Sequence, residues 1–470
     1  MHIQQLYTNC LAQGAYYISS NGEAVIIDPL RETQPYIDLL KQNNDKLKYI
    51  FETHFHADFV SGHVDLAKAT GATIVFGPNA QTDYKSYIAK DNEELKVGDL
   101  TIKVLHTPGH TLESTTYLLL DKTKKPISIF TGDTLFIGDV GRPDLAIKSN
   151  LTQEDLAGML YDSLRNKIMP LPDDVIVYPA HGAGSACGKN MSKETFDTLG
   201  NQKKTNYALQ NISKEDFIKE LTTDILPAPQ YFAKNAFLNK KGYKNYSDVL
   251  SDSVKGLSVK EFEEAIHAIK PIILDVRTPD EYAKANVPGS LFIGIDGQFA
   301  PWVGTLITDL NSPILLITPK GREEETVMRL SRVGYDNCIG YLEGGIESWI
   351  NAGKKTDTVE TVNAEIFFEN NYKKGVQTLD VRKPGEYDSA HLKNAETKPL
   401  DFIFDWIDSK DKSSQLMIHC AGGYRSMIAI SILKANGYKN LTNVDGGYSA
   451  ISKLDNVSED IVTQACTASK

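Results

Sequence analysis

The apolar residues in the C-terminal half of the chain occur in short runs separated by longer amphipathic stretches. Examples are Ile272–Val276 and Ile314–Ile317 and, further on, Gln377–Val381 and Leu416–His419. Short apolar runs that alternate with helical periodicity are typical of a parallel sheet with helices on both faces. The pattern therefore predicts α/β domains in this half.

A repeat in the sequence divides the same half into two units. The segment Leu274–Tyr282 (LDVRTPDEY) recurs as Leu379–Tyr387 (LDVRKPGEY), and Glu343–Trp349 is matched later by Asp445–Ile451. Each unit is therefore about a hundred residues long, which is the size of one small domain.

The N-terminal half follows a different pattern, in which apolar, strand-like runs end in short polar turns. The run Tyr49–Phe51 leads into Thr53–Phe59 (THFHADF), and later runs lead into Thr107–His110 (TPGH), Thr131–Thr134 (TGDT) and Pro179–Gly182 (PAHG). Side chains two residues apart on an extended segment point the same way, so the histidines and the aspartate of the first turn are able to converge on one ion. The four turns together predict a metal site.

These turns resemble the ligand motifs of the metallo-β-lactamase fold, which lie on loops at one edge of two packed sheets. The resemblance covers residues 1–245 and implies an αββα sandwich. It narrows to the mononuclear iron persulfide dioxygenases, because Gly141–Asp144 (GRPD) matches a stretch found in that family. Carried over from the family, the ligands of one Fe(II) per chain are His54, His110 and Asp133.

The chemistry of these ligand types agrees with iron. Two imidazoles and one carboxylate leave several positions of the metal open, as in the non-haem Fe(II) oxygenases. A hydrolytic zinc site could use the same ligands, with the pKa of its bound water lowered to about 7. The ligand types alone therefore leave both metals open.

Phe59 departs from the pattern of the dinuclear hydrolases of this fold, which carry a histidine directly after the aspartate of the first motif. A phenyl ring does not coordinate a metal, so a second ion would keep only Asp58, His181 and a share of Asp133. The substitution predicts a site with one metal.

The resemblance also implies a group of residues around the metal, namely His56, Asp58, Arg142, Asp144 and His181. We expect His56 and Asp58 to orient the ligands and their bound water through hydrogen bonds, and the loss of such a partner typically costs about ten- to a hundredfold in activity or metal affinity. We expect His181, Arg142 and Asp144 to take part in catalysis, with Arg142 offering a fork of donors to an anionic substrate. Without the resemblance, an ordinary ion pair in a loop explains Arg142 and Asp144 better.

The two repeat units resemble rhodanese domains, and the second has the loop that carries rhodanese chemistry. There the strand Leu416–His419 runs into Cys420–Ser426 (CAGGYRS) and then into a predicted helix. Backbone N–H groups and the helix N-terminus would stabilise a thiolate and, after sulfur transfer, a persulfide on Cys420. The two glycines permit the tight turn, and Arg425 offers a site for an oxyanion such as sulfite or thiosulfate.

The length of this loop favours sulfur over phosphate. Four residues separate Cys420 from Arg425, whereas the related phosphatase loops are longer because a phosphate needs a wider ring of amides. In the first unit the corresponding segment, Thr318–Glu325, has no cysteine. That unit is therefore expected to be a degenerate rhodanese domain, with a role in packing, oligomerisation or access to the other sites.

The composition fits three domains of ordinary size. A chain of 470 residues that is 41% hydrophobic is long enough for domains at 1–250, 251–356 and 357–470, each with its own core. The net charge of −11 disfavours nucleic acid and acidic membrane surfaces as partners, and no stretch reaches the roughly 18 apolar residues of a membrane span. Five scattered cysteines do not form a disulfide framework, so we expect a reducing, cytoplasmic location.

Residues and resemblance together predict an iron persulfide dioxygenase fused to a degenerate and an active rhodanese domain. It would oxidise a low-molecular-weight thiol persulfide with O2 to sulfite and thiol, and sulfur transfer at Cys420 would convert sulfite to thiosulfate, which amounts to sulfide detoxification. The family implies a homo-oligomer, either a dimer or a tetramer. The alternatives are a thioester hydrolase of glyoxalase II type and a non-enzymatic sulfur carrier. The sequence leaves open which thiol is used, in which direction the rhodanese reaction runs and whether Cys187 lines the substrate channel.

Overall fold

The computed structural model describes residues 1–145, 151–225 and 227–463. Within these residues, no helix is both long and apolar enough to cross a membrane. The domain boundaries after residues 250 and 356 stay predictions, and the end of the third domain, 464–470, lies outside the described residues.

The chain divides into two compact units. The first combines Met1–Val249 with Met328–Asp336, and the second combines Leu250–Val327 with Asn337–Lys470.

The first unit is a sandwich of two sheets whose strands follow one another in the order of the chain. The first sheet contains β1 (His2–Thr8), β2 (Gln13–Ser20), β3 (Glu23–Ile27), β4 (Lys46–Phe51), β5 (Thr73–Phe76) and β6 (Tyr87–Ile88). The second sheet contains β7 (Glu94–Val97), β8 (Leu100–His106), β9 (Thr115–Leu120), β10 (Pro126–Gly132), β11 (Ile176–Pro179) and β12 (Asp197–Thr198). The pairs from β3 to β6 and the pair β10–β11 are parallel, and the other pairs are antiparallel.

Helices cover the outer faces of both sheets. They are α1 (Gln34–Asn43), α2 (His63–Thr70), α3 (Gln153–Ser163), a π-helical turn at Leu164–Ile168, α4 (Leu199–Thr205) and α5 (Lys214–Thr222). The next helices along the chain are α6 (Phe232–Lys241) and α7 (Tyr246–Ser253), and α7 begins in the first compact unit and ends in the second.

The alternation of side chains along β2 shows why the layers form. Tyr16 and Ile18 point into the core between the two sheets, whereas Tyr17 points to the opposite face and packs with Tyr36 and Leu40 of α1. Each large apolar side chain that is fully buried in this way stabilises the fold by about 1.5–3 kcal/mol. The predicted αββα sandwich is confirmed.

The second unit contains two parallel sheets. The first is built from β13 (Gly256–Leu257), β14 (Ile272–Asp275), β15 (Leu291–Phe292), β16 (Ile314–Ile317) and β17 (Cys338–Leu342), in the order β13-β17-β16-β14-β15. The second is built from β18 (Glu360–Val362), β19 (Gln377–Asp380), β21 (Ala395–Thr397), β22 (Leu416–His419) and β23 (Leu441–Val444), in the order β18-β23-β22-β19-β21. A separate antiparallel pair joins β20 (Ala390–Leu392) and β24 (Ile461–Thr463).

Helices alternate with these strands, as the sequence pattern predicts. Those of the first repeat are α8 (Val259–Ile269), α9 (Pro279–Lys284), α10 (Phe299–Leu306), α11 (Glu323–Ser331) and α12 (Gly345–Asn351). Those of the second are α13 (Ala364–Asn370), α14 (Pro384–Ser389), α15 (Ile403–Trp406), α16 (Tyr424–Ala435) and α17 (Gly447–Ile451). The predicted α/β class of both repeats is confirmed, and β14 and β19 end one residue earlier than the apolar pattern predicts.

Candidate functional site

The candidate metal ligands lie in turns that follow strand ends of the first unit. The strands β4, β8, β10 and β11 are followed by His54, His110, Asp133 and His181, respectively. All four side chains are buried. The topology therefore gathers, at one edge of the sandwich, residues that are far apart in the sequence.

His54, His110 and Asp133 come together around a common point. The Oδ2 atom of Asp133 lies 3.3 Å from Nε2 of His110 and 3.9 Å from Nε2 of His54. One ligand atom from each of the three residues lies within 4.8 Å of the others. This spacing suits coordination of one ion by two imidazoles and a carboxylate.

Hydrogen bonds on the far side of both imidazoles fix the nitrogen that faces this point. His110 Nδ1 lies 2.8 Å from the carbonyl oxygen of Arg142, which only accepts, so Nδ1 carries the proton. The Thr53 hydroxyl donates its proton to Asp28 at 2.8 Å, and it therefore accepts one from His54 Nδ1 at 3.0 Å. Both Nε2 atoms are left with a lone pair for a metal, and a partner on the other ring nitrogen is usual for a metal-binding histidine.

The unpaired polar atoms at this point fit a cation. Within the described residues, His110 Nε2, His181 Nε2 and both carboxylate oxygens of Asp133 are buried without a hydrogen-bond partner. Leaving such a group unpaired costs about 1–3 kcal/mol, so four of them in one place are more stable around a metal ion. Burial also lowers the pKa of His54 well below its usual value, which keeps that imidazole neutral and able to coordinate.

A second group of buried side chains lies next to the first. His56, Asp58 and His181 form one cluster with ligand atoms within 4.8 Å, and His181 also forms a cluster with Asp133 and Cys187. His181 Nε2 is 3.3 Å from Asp58 and 3.6 Å from Asp133. Cys187 is thus buried beside the candidate site, and burial raises the pKa of its thiol well above the usual value.

His56 is engaged elsewhere, although it belongs to this second cluster. Its Nε2 atom lies 3.1 Å from Asp28 Oδ1, and its ring stacks on Phe59 with the centroids 4.3 Å apart. Burial lowers the pKa of His56, but the charge and hydrogen bond of Asp28 outweigh burial and raise it to about 9. Asp28 thus competes with a metal ion for the ring nitrogen of His56 that faces it.

The sequence analysis missed Asp28, Glu52 and Thr53, which support the metal-binding turn. Asp28 accepts hydrogen bonds from the backbone and the hydroxyl of Thr53, both at 2.8 Å, and Glu52 lies 3.6 Å from His56. Asp28 and Glu52 each directly follow a buried apolar strand. A carboxylate directly after a buried strand is a signal that the sequence offers for such a partner. A buried charge is stable only when it is paired, so each of these carboxylates predicts a cationic or hydrogen-bonding neighbour.

Arg142 and Asp144 form a two-pronged ion pair. Arg142 Nε lies 2.6 Å and Nη2 2.7 Å from the two carboxylate oxygens of Asp144, and Nη1 donates to the carbonyl of Ala186 at 3.2 Å. The guanidinium fork is therefore occupied by Asp144. The backbone carbonyl of Arg142, which holds His110, gives this loop a direct link to the candidate metal site.

A cavity of about 770 Å³ lies beside the turns that carry His54 and His110. Its lining includes Phe55, Ala57, Thr111 and Asp144. Side chains of α6 and of the segment that leads into it, among them Pro229, also form part of the lining. Cavities of this size hold small organic ligands. The cavity gives a ligand a place next to the candidate metal site.

In the second unit, Cys420 lies in a tight loop between β22 and α16. Its side chain is buried, and among the described residues the N–H of Gly423 donates to Sγ at 3.1 Å. The carbonyl oxygen of Cys420 accepts from the N–H of Tyr448 at 2.7 Å. A Cβ on Gly447, whose φ is +52°, would lie 2.3 Å from that oxygen, so only glycine permits the close approach.

Arg425, the predicted oxyanion site, is paired within the protein. Its guanidinium forms a two-pronged ion pair with Glu386, with Nη1 2.5 Å and Nη2 2.8 Å from the two carboxylate oxygens. The sequence analysis includes Glu386 in the repeat but does not assign it to the site. Glu386 lies in the motif Leu379–Tyr387, and nothing in that motif indicates that the glutamate pairs with Arg425.

The cysteine-free repeat contacts the same loop. The hydroxyl of Tyr424, next to Arg425, donates to the carbonyl oxygen of Gly294 at 2.8 Å. The Tyr424 ring packs against Gly297 and, edge to face, against Phe292. The first repeat therefore braces the residue at which α16 begins.

Gly297→Ala is expected to slow the sulfur transfer that the sequence predicts at Cys420 by about ten- to a hundredfold, because a small misplacement of a reacting group has an effect of this size. The new Cβ would lie 2.3 Å from the Tyr424 ring and would push the loop away. The rate of thiocyanate formation from thiosulfate and cyanide measures the effect. Gly385→Ala is the control, since a Cβ there meets nothing within 4 Å, and equal rates for the two variants would contradict the expectation.

Comparison with protein families matches one family to the N-terminal part of the chain and another family to each of the two repeats. The model of the metallo-beta-lactamase superfamily matches residues 9–181, and the model of the rhodanese-like domain matches residues 258–352 and 365–454.

Individual relatives agree with these matches. The human mitochondrial persulfide dioxygenase is 32% identical over 212 residues, which are 44% of this chain and 74% of the relative. A probable hydroxyacylglutathione hydrolase of Schizosaccharomyces pombe is 34% identical over 160 residues, which are 33% of this chain and 57% of the relative. The crystal structure of a metallo-beta-lactamase from Staphylococcus aureus subsp. aureus COL has a TM-score of 0.64 at 30% identity, and the match covers 73% of this chain and 98% of that one.

Proposed function

Because this chain belongs to the metallo-beta-lactamase superfamily, has persulfide dioxygenases among its relatives and continues into two rhodanese-like domains, we propose a function with two parts. The chain is an iron-dependent persulfide dioxygenase that is coupled to a sulfurtransferase. The first reaction would be RSSH + O2 + H2O → RSH + SO3²⁻ + 2H⁺. The observation that carries the proposal is the convergence of two Nε2 lone pairs and the Asp133 carboxylate beside a cavity.

In this proposal, His54, His110 and Asp133 hold one Fe(II). The bound iron would supply the redox chemistry by which O2 oxidises the persulfide sulfur. The other residues of the site act on the ligands. The Asp28–Thr53 hydrogen bond and the Arg142 carbonyl keep the imidazole protons on Nδ1, and the cavity holds the thiol that carries the persulfide.

The second reaction would take place at Cys420. Its thiolate attacks the sulfane sulfur of a second persulfide, the bond to the carrier sulfur breaks, and RS⁻ departs, which leaves a persulfide on Cys420. Sulfite then takes the outer sulfur, which forms thiosulfate and restores the thiolate. The Gly423 N–H, which donates to Sγ, and the N-terminus of α16 would stabilise the negative charge of the Cys420 thiolate. In the first repeat, the described loop at 318–323 holds no cysteine, so transfer is assigned to the second repeat alone.

Oxygen consumption tests the first reaction. The protein is purified without oxygen, loaded with Fe(II) and mixed with a thiol persulfide in an oxygen-electrode cell, with His54→Ala as the control. Uptake by the wild type that is lost in the variant supports the proposal. No uptake with iron bound, together with thioester hydrolysis in the zinc-loaded protein, would contradict it.

A thioester hydrolase of glyoxalase II type is the second candidate. It is favoured by the hydroxyacylglutathione hydrolases among the relatives and by the neighbouring cluster of His56, Asp58 and His181. Phe59 in place of a ligand and the ion pair between His56 and Asp28 count against it. Hydrolysis of a glutathione thioester, measured with the same preparation, separates the two candidates.

Phe59→His is expected to raise the metal content from about one ion per chain toward two. The new imidazole would join Asp58 and His181, which already lie 3.3 Å apart, and would complete a second set of ligands. Elemental analysis after reconstitution with excess zinc or iron measures the ratio. Phe404→His is the control, because it adds an imidazole at an exposed position of the second unit. A ratio that stays near one in Phe59→His, or that rises equally in the control, would contradict the expectation.

The remaining parts of the proposal concern the surroundings of the protein. The described cysteines Cys10, Cys187, Cys338 and Cys420 are all free thiols, which supports a reducing location such as the cytoplasm. The homo-oligomer that the family implies stays a prediction.

A further inference from the structure

The ion pair between Arg425 and Glu386 places a carboxylate where the substrate anion of a sulfurtransferase would bind. The two oxygens of Glu386 meet Nη1 and Nη2 of Arg425 at 2.5 and 2.8 Å. A sulfite or thiosulfate oxygen pair would use the same two donors, because guanidinium binds oxyanions through this fork. Glu386 therefore competes with the anion for Arg425.

The internal repeat shows that this pairing is a property of the second copy. Glu281 is the matching residue of the first copy, and its carboxylate accepts from the N–H and the hydroxyl of Thr278 at 2.9 and 2.6 Å. Lys383 stands in place of Thr278 in the second copy. Glu386 keeps the bond from the backbone N–H of Lys383, at 3.1 Å. The first copy has Glu323 at the position of Arg425, so Glu281 has no matching guanidinium, and only Glu386 forms this ion pair.

Charge and burial keep the pair ionised near Cys420. Burial raises the pKa of Glu386, but the hydrogen bond and charge of Arg425 outweigh it and hold the pKa below its usual value. The side chain of Arg425 is only 16% exposed, and that of Glu386 is 37% exposed. Screening by water is therefore weaker at Arg425 than for a surface ion pair.

We propose that Glu386 is a positioning residue that sets the donor specificity of the sulfurtransferase by occupying Arg425. It weakens the binding of free sulfur oxyanions, so thiosulfate is a poor sulfur donor and a product that leaves readily, while a thiol persulfide, which presents no oxyanion, remains the preferred donor. This inference rests on the proposed sulfur transfer at Cys420.

The first test compares sulfur donors in the full-length protein. Glu386→Gln keeps the shape and removes the charge, and we expect the KM for thiosulfate to fall about tenfold, with a similar rise in the preference for thiosulfate over a thiol persulfide, as measured by the ratio of kcat/KM values. Glu386→Asp keeps the charge and is expected to stay closer to the wild type. Glu281→Gln, at the matching position of the first copy, is the control and should leave the ratio unchanged.

The second test measures anion binding without turnover. Bound sulfite is expected to protect Cys420 from alkylation by iodoacetamide, and mass spectrometry of the peptide that contains Cys420 gives the sulfite concentration for half protection. This concentration is expected to fall about tenfold in Glu386→Gln. An unchanged concentration and donor ratio in a folded Glu386→Gln protein would overturn the inference. If sulfite protection shifts while even the wild type transfers no sulfur, the competition at Arg425 is supported and the proposed sulfurtransferase function fails.

Discussion

Asp133→Asn is expected to remove iron from the protein and to lower persulfide-dependent oxygen uptake at least about a hundredfold. The effect is at the upper end of, or above, what the loss of a residue that only orients a metal ligand typically causes. Asp133 supplies the carboxylate of the candidate site and lies within 3.9 Å of His54, His110 and His181. An asparagine of the same shape has no negative charge to offset that of the metal, and one of its two terminal atoms is a donor.

Iron content by elemental analysis and oxygen uptake at saturating persulfide measure this effect. Asp162→Asn is the matched control, because it removes a carboxylate from an exposed ion pair with Lys214 in the same unit. The control is expected to keep iron and activity. An Asp133→Asn protein that holds about one iron per chain and consumes oxygen at the wild-type rate would show that the metal, or the chemistry, lies elsewhere.

Cys420→Ser is expected to abolish sulfur transfer, with a loss of at least about a thousandfold, and to change the accumulated product from thiosulfate to sulfite. A serine hydroxyl fits the buried loop and still accepts the Gly423 N–H, but it is not ionised at neutral pH and does not carry a sulfane sulfur. Oxygen uptake should continue, because the candidate iron site uses other residues.

Chromatography of sulfite and thiosulfate after a measured uptake of oxygen shows the product. Cys338→Ser is the matched control, since Cys338 is a buried cysteine of the first repeat whose Sγ faces the carbonyl oxygens of Ser253 and Gly340. The control should still give thiosulfate. Thiosulfate in undiminished yield from Cys420→Ser would contradict transfer at this loop.

The layers of the fold were predictable because they depend on local patterns. The short apolar runs of the repeats correspond to β14, β16, β19 and β22, with ends displaced by at most one residue. Strand alternation and helical periodicity act over a few residues, so the sequence carries them directly. Contacts between residues that are far apart in the sequence produce no local pattern of this kind. The segment Met328–Asp336, for example, belongs to the first compact unit although it lies within the predicted second domain.

The sequence by itself determined the chemical types of the site: histidines and an aspartate after strand ends, and a cysteine between a strand and a helix. It did not determine which partner each charged group takes. Only the tertiary structure pairs Arg425 with Glu386 and His56 with Asp28, and it shows that the ion pair between Arg142 and Asp144, one of two readings of the sequence, is formed. The physical reason is that a buried charge needs a partner, and the partner is whichever group the packing of the chain brings within reach.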